Sequence, residues 1–249
     1  MLPIYQAACY RRDARVADVD AHNLTVPDMK RHGLPGALIT VDGIDGSGKS
    51  TVVAEMHAVL TDLGINFRQA KLPSPACRSL PYIASYIRDH RQTERGEVDL
   101  LSLCLVFNGD SLLSIRQEVL PELERGTWIV CDRYVFGGMA ELIANRRPAR
   151  EVEILAEVQS AFPQPDLAIL TDIDAGESAR RIHERPDERD VPIDPDLWGR
   201  FVDGYRAVGR LRGMHVADTS RPLDRLLAEV RDLVVALDRR KREAVTAGS

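Results

Sequence analysis

The chain has 249 residues, 44% hydrophobic and 29% charged, enough for one well-buried core of about 200 residues with appendages. Its formal net charge of -5 and pI near 5.7 argue against a surface built for polyanions, so nucleic acid is not an expected partner. No run reaches the roughly 18 apolar residues of a membrane helix, and residues 1–12 hold no charged leader with an apolar stretch behind it, so neither a membrane span nor a secretory leader is expected. Cys9, Cys77, Cys104 and Cys131 are widely spaced and form no C-x-x-C, which reads as reduced thiols in a cytoplasmic protein.

Residues 1–36 have poor periodicity, interrupted by Pro27, Gly33, Pro35 and Gly36. They read as an N-terminal extension whose purpose and flexibility the pattern leaves open, and removing 1–34 is expected to leave the domain folded. Residues 37–41 are a β-rich apolar run, followed by a glycine-punctuated turn and a helical pattern over 50–63. A short strand is expected at 67–72, helices at 78–88 and 98–123, and a buried strand at 128–131 ending on Asp132. A helix over 151–162 leads through a turn to a strand at 167–171, and Asp174 with Glu177 fits a capping box opening the next helix. A helix over 197–211, a last strand at 214–217 and a helix with its apolar face on Leu223, Leu226, Leu227, Val230, Leu233, Val234 and Leu237 complete the pattern. Strands separated by helices predict an α/β domain over 37–238, its parallel sheet covered on both faces. The run Arg239-Arg240-Lys241-Arg242 opens a disordered, solvated basic tail over 239–249.

Gly43-Ile44-Asp45-Gly46-Ser47-Gly48-Lys49-Ser50 matches G-x-x-x-x-G-K-[ST] at every fixed position, after a strand and at the start of a helix. Gly43, Gly46, Ser47 and Gly48 let backbone N–H groups turn towards phosphate oxygens, the helix N-terminus adds its positive end, and Lys49 brings a full charge to the β- and γ-phosphates of ATP. Ser50 supplies a hydroxyl for Mg²⁺, and Thr51 completes the loop. Asp132-Arg133-Tyr134 follows a strand at the sheet edge where ligands bind in open parallel sheets. Alone, this tripeptide suits a surface ion pair equally well. Beside the phosphate loop it offers a carboxylate near the metal and an arginine facing an acceptor phosphate.

With these motifs in order, the sequence resembles the thymidylate kinase family over about residues 37–238. The resemblance rests on Val41-Asp42-Gly43-Ile44-Asp45-Gly46-Ser47-Gly48-Lys49-Ser50-Thr51, on Gly126-Thr127-Trp128-Ile129-Val130-Cys131-Asp132-Arg133-Tyr134, and on Pro165-Asp166-Leu167 leading to Thr171-Asp172-Ile173-Asp174. It implies a P-loop NTPase fold with a five-stranded parallel sheet, Mg²⁺-ATP as donor, dTMP as acceptor and a homodimer. It also implies that Lys71, Phe107, Arg133 and Tyr134 bind the acceptor, with Phe107 stacked on the base, although Phe107 suits ordinary helix core as well. Residues 183–192 look like the family's lid, and since the phosphate loop holds no arginine, the catalytic one is expected from Arg185 or Arg189. Asp45 stands where the two phosphates meet, placed to orient acceptor or metal.

Two departures fall on the acceptor side. Ser111 stands four residues after Phe107, where the family usually has an arginine, and Asp110 precedes it; Ser74-Pro75 replaces the family's usual continuation after the second strand. They keep open a deoxynucleoside kinase or a kinase for a modified pyrimidine nucleotide, and, from another class, an ATP-binding regulatory protein without catalysis. If a third cation is missing at 111, Ser111→Arg is expected to improve dTMP binding.

Overall fold

The structure is a computed structural model that describes residue 24, residues 26–93 and residues 95–247; Cys9 and most of the N-terminal extension lie outside the described residues. After β1 (Lys30–Arg31) comes β2 (Leu38–Asp42), all five of whose residues are buried, as an apolar run between two helix layers requires. The chain continues through α1 (Lys49–Asp62), β3 (Phe67–Lys71), α2 (Pro75–Arg78), α3 (Pro81–Arg88), α4 (Leu100–Ser114), α5 (Leu120–Glu124), β4 (Trp128–Asp132), α6 (Phe136–Ala144) and α7 (Ala149–Gln159). It closes with β5 (Pro163–Gln164), β6 (Leu167–Asp172), α8 (Ala175–His183), α9 (Pro195–Leu211), β7 (His215–Asp218) and α10 (Leu223–Ala247).

Five strands form the main sheet in the order β3-β4-β2-β6-β7, and every neighbouring pair is parallel, as expected. Successive side chains leave opposite faces, so each central strand feeds two cores. Ile39, Val41, Trp128, Val130 and Ile169 pack against α1 and α10 with Val52, Met56, Leu226 and Val230. Leu38, Ile129, Cys131 and Leu170 face the larger core, with Leu103, Phe136, Leu155 and Val208. The register places Lys71 beside Asp132 and Asp132 beside Val41, so β2, β3 and β4 end together at one edge.

The differences from the sequence expectation have local causes. The helix expected over 78–88 is broken before Pro81, which opens α3, and the long helix over 98–123 passes through a π turn at Ile115–Val119 before Pro121, which has no N–H for the ladder. Helix α6, in a stretch to which the sequence reading assigns no element, carries Gly137-Gly138. Both glycines serve close packing: a β-carbon at Gly137 would lie 2.9 Å from the Tyr205 hydroxyl, and one at Gly138 3.1 Å from Leu155 Cδ2. At α8, Asp174 caps by accepting from Gly176 N at 2.8 Å, but Glu177 pairs with Arg180 and Arg181 and leaves the box half made.

The domain limits also move. The basic run does not open a disordered tail; it continues α10, and Lys241 Nζ donates to Gly36 O at 2.6 Å and lies 3.1 Å from Asp166 Oδ1. The end of the extension belongs to the fold as well. Leu24 and Met29 are buried, β1 pairs with β5, Arg212 donates to Pro27 O at 2.8 Å, and His32 Nε2 lies 2.7 Å from Asp166 Oδ2. Deletion of residues 1–34 should therefore lower the melting temperature, by on the order of 10 °C from two buried apolar side chains and these hydrogen bonds. Circular dichroism melts of full-length and truncated chains measure this, and equal midpoints would show that the packed segment contributes nothing.

Candidate active site

The site is built where the strand ends coincide. The chain leaves β2 at Asp42, turns through the glycine loop and enters α1, whose N-cap is Gly48 with no side-chain cap hydrogen bond among the described residues. The first-turn N–H groups of α1 are therefore open to an anion, and the helix dipole favours one there. Gly46 and Gly48 have φ of 76° and 88°, a region that side chains with a β-carbon avoid. At Gly46 a β-carbon would also collide with Ser178 O, because α8 lies across the loop. Ser178 Oγ donates to Asp45 O at 2.5 Å and accepts from Trp198 Nε1 at 3.0 Å, while Ser47 Oγ lies 2.6 Å from Thr171 Oγ1. The loop is thus braced from β6, α8 and α9. Ser50 and Thr51 are exposed on the first turn of α1, and Gly43, Ser47 and Lys49 are buried.

Lys49 lies along its own loop, its Nζ donating to Ile44 O at 2.6 Å and Gly43 O at 3.1 Å, 3.5 Å from Asp45 Oδ1. Arg133 reaches the same point from β4: its Nη2 donates to Asp45 Oδ1, and its Nη1 donates to Gly43 O at 3.2 Å and to the Tyr205 hydroxyl at 3.4 Å. Arg133 has φ of 68°, a left-handed conformation that costs energy outside glycine and clusters at functional sites. Burial pulls the Lys49 ammonium down to about 7, helped by Arg133 and opposed by Asp45. Burial works to raise Asp45, but Arg133 and Lys49 outweigh it and hold that carboxyl well below its ordinary range. Three sequence-predicted residues, Asp45, Lys49 and Arg133, are therefore in direct contact. Lys71 and Asp132 form a second pair at 3.2 Å.

The acceptor side departs from expectation in two places. Tyr134 is 5% exposed, rings with Phe136 and Phe162, and donates its hydroxyl to Pro163 O at 2.8 Å. Its side chain is core, and its backbone N–H, donating to Asp42 Oδ1 at 3.0 Å, is what serves the site. Ser111 is 3% exposed, so an arginine there would bury a guanidinium, at a cost that opposes the gain expected from Ser111→Arg. Asp110 faces Ser74, accepting from its N–H and its hydroxyl at 2.7 Å each. Asp110 and Ser74 are thus one hydrogen-bonded unit, and Ser74 Oγ caps α2 by accepting from Cys77 N at 3.1 Å. Phe107 is half-buried on α4 and packs against the larger core.

Arg78 was missed in the sequence, where an isolated arginine in a short segment gives no signal. Its Nε donates to Pro73 O at 3.2 Å and its Nη2 to Leu72 O at 3.1 Å, directly after the strand that ends in Lys71. Burial lowers its pKa, Arg133 lowers it further, and Asp45 and Asp132 oppose them, so the cation belongs to the same electrostatic cluster.

The sequence model of the family described as Thymidylate kinase matches residues 41–230. The chain belongs to the thymidylate kinase family. It is 30% identical over 204 residues to "Thymidylate kinase" of Nitrosomonas eutropha, covering 80% of this chain and 91% of that protein. To "Thymidylate kinase" of Methylococcus capsulatus it is 31% identical over 194 residues, with 76% and 90% covered. To "Probable thymidylate kinase" of Staphylothermus marinus it is 26% identical over 203 residues, with 80% and 95% covered. The protein is accordingly a nucleoside monophosphate kinase with the P-loop NTPase fold.

In this thymidylate kinase-family chain the two arginines expected to serve a lid stand apart from the loop. Arg185 and Arg189 are exposed, Arg185 Nη1 pairs with Glu188 Oε2 at 2.9 Å, and among the described residues neither arginine bonds the phosphate loop. The donor set suits Mg²⁺, a hard cation that prefers oxygen and binds through one or two carboxylates together with phosphate. Ser50 offers a hydroxyl and Asp132 a carboxylate, and Asp42 Oδ2 is buried beside the loop with no hydrogen-bond partner among the described residues. No cluster of three or more His, Cys, Asp or Glu able to cage an ion occurs among the described residues.

Two measurements follow from this geometry. Lys49→Ala removes the cation that meets the Ile44 and Gly43 carbonyls and Asp45 and leaves both cores intact, so kcat/KM should fall by on the order of 10² to 10³ while the melting temperature stays within a few degrees. A folded variant with normal turnover would contradict the loop's role. Burial pushes Asp42 from 3.8 up to about 6, against the pull of the Tyr134 N–H. The folded state then binds a proton that the unfolded state has released, so stability falls as pH rises from about 4 to 6. Asp42→Asn lacks this titration, and its stability relative to wild type should climb across that window by up to about 3 kcal/mol. Urea unfolding at several pH values reads the slope, and a pH-independent difference would show that the buried charge costs nothing.

Proposed function

We propose that the protein transfers the γ-phosphoryl group of ATP to dTMP, giving dTDP and ADP. The observation that carries this reading is the meeting of Lys49 and Asp45 of the phosphate loop with Arg133 of the neighbouring strand end, one cation for the donor and one for the acceptor within a single contact. The glycine loop and the α1 N-terminus would cradle the ATP phosphates, with Lys49 on the β- and γ-phosphates. Arg133, Lys71 and Arg78 would hold the acceptor phosphate, with Arg78 supplying the cation that position 111 lacks, and Phe107 would stack on the base. Ser50 and Asp132 would hold Mg²⁺, which would supply charge neutralisation to the phosphates. The lid would bring Arg185 or Arg189 over the transferring group, where it acts as charge develops. Positioning and electrostatics suffice, and no covalent intermediate is required.

We place the enzyme in the cytoplasm, which the free buried thiols Cys77, Cys104 and Cys131 support. No helix among the described residues is long and apolar enough to cross a membrane. A homodimer is supported by α4, which is apolar on both faces: Leu105, Val106 and Leu113 are 36%, 44% and 54% exposed at helical spacing. The buried serine at 111 favours one rival, a deoxynucleoside kinase, because an acceptor without phosphate needs fewer cations.

Turnover with Mg²⁺-ATP and dTMP, dUMP or thymidine separates the two. Monophosphates should turn over faster than thymidine, and Arg78→Ala should raise the dTMP KM about tenfold, the worth of a charged hydrogen bond. Alanine at Arg185 and Arg189 together should lower kcat by about 10² or more with ATP affinity little changed. Faster turnover of thymidine than of every monophosphate would overturn the reading.

A further inference from the structure

The hydroxyl of Ser178 stands where three elements meet, and its two hydrogen bonds have only one possible polarity. The side chain is fully buried on α8. An indole N–H can only donate and a peptide carbonyl can only accept, so Ser178 Oγ accepts from Trp198 Nε1 at 3.0 Å and donates to Asp45 O at 2.5 Å. Trp198 is itself fixed in the first turn of α9: its backbone N–H donates to Asp194 O at 2.9 Å, and its ring packs edge-on against Phe201 at 5.7 Å. Asp194 caps that helix and also accepts from Arg91 at 2.6 Å. A relay therefore runs from α9 through α8 to the phosphate loop, and bonds in such a chain polarise one another.

The relay ends on a peptide whose direction matters to an anion. Asp45 C=O and Gly46 N–H belong to one planar trans peptide and leave it on opposite sides. With the carbonyl held towards α8, the N–H is turned away from that helix. Gly46 is buried and its N–H donates to no described residue, a state a backbone donor rarely keeps unless a ligand completes it. A flip of this peptide rotates Asp45 ψ and Gly46 φ together, and a glycine already at φ of 76° resists such a rotation little. The flipped peptide would present a carbonyl oxygen where an anion needs a donor. The Ser47–Thr171 contact braces the loop through side chains and leaves this peptide unheld.

We infer that Ser178 and Trp198 are positioning residues for the donor nucleotide: their relay locks the Asp45–Gly46 peptide so that Gly46 N–H faces a phosphate oxygen of the bound nucleotide. The inference rests on the kinase reading, in which the glycine loop holds the donor phosphates. Ser178 acts through the Asp45 carbonyl, and Trp198 acts through Ser178. The orientation of a donor in the loop is thereby set from α9, a helix that begins 144 residues after Gly48-Lys49-Ser50-Thr51 has ended.

The test is a double-variant cycle read on ligand binding. Calorimetry measures Kd for Mg²⁺-ADP and for dTMP on wild type, Ser178→Ala, Trp198→Phe and the double variant, with melting curves to confirm that each is folded. Ser178→Ala should weaken ADP about tenfold, the worth of a hydrogen bond, and leave dTMP within about twofold. Trp198→Phe keeps an aromatic ring beside Phe201 and removes the N–H, so ADP should weaken about threefold. Once the hydroxyl is gone the indole has nothing to act through, and the double variant should match Ser178→Ala. Additive losses, unchanged ADP affinity in both single variants, or equal losses for ADP and dTMP would overturn the inference. If Ser178→Ala does not fold, Trp198→Phe decides: a selective loss of ADP affinity supports the relay, and an unchanged Kd overturns it. Wild type that bound no ADP would defeat the relay and the kinase reading together. Turnover is read separately on wild type: failure to phosphorylate any acceptor would defeat the kinase reading, while the ADP cycle still decides the relay.

Discussion

The contact between Arg133 and the phosphate loop is the constraint on which the site depends. A guanidinium held at once by the Asp45 carboxylate and the Gly43 carbonyl joins the end of β4 to the turn after β2, two segments 88 residues apart in sequence. It draws Arg133 into a left-handed backbone conformation that an arginine does not choose on its own. It also keeps opposite charges close in a half-buried place, where each lowers the cost of the other's desolvation. Lys49 completes the group from below, so a phosphate arriving at this edge meets two cations whose positions are already fixed.

The two sides of the site are built differently. The donor side is mostly backbone: N–H groups, glycine conformations, and bracing by Thr171, Ser178 and Trp198. The proposed acceptor side is made of side chains. Ser74 and Asp110, 36 residues apart, hydrogen-bond each other, and Ser74 caps α2, the helix that carries Arg78.

Much of the fold was legible because its signals are local. The strand before the phosphate loop, the loop itself and the helix after it are encoded in consecutive residues, and all five main strands stand within a residue or so of where the apolar runs put them. What escaped reading depends on distant partners. Helix α6 has Tyr205 and Leu155 pressing on Gly137 and Gly138 from other elements, and the tyrosine after Arg133 reads as a ligand until Pro163 is seen accepting its hydroxyl. The basic run after α10's apolar stripe looks solvated because nothing nearby in sequence reveals the carbonyls of Leu34 and Gly36 that Lys241 meets. Arg78 carries no motif, and only the short helix after β3 turns it back onto the carbonyls of Leu72 and Pro73.

The lysine that closes the far edge of the sheet bears on how the chain is made. Asp166 gathers His32 and Lys241 and caps the Leu38 N–H at 2.9 Å, so the entrance to the central strand is sealed by residues from both ends of the molecule. On a ribosome, where amino-terminal segments emerge first, that seal waits for the last turns of the final helix to leave the exit tunnel. Until then the outer side of α1 and the neighbouring face of β7, on which α10 packs with Leu226, Val230 and Val234, remain open to water and to other nascent chains.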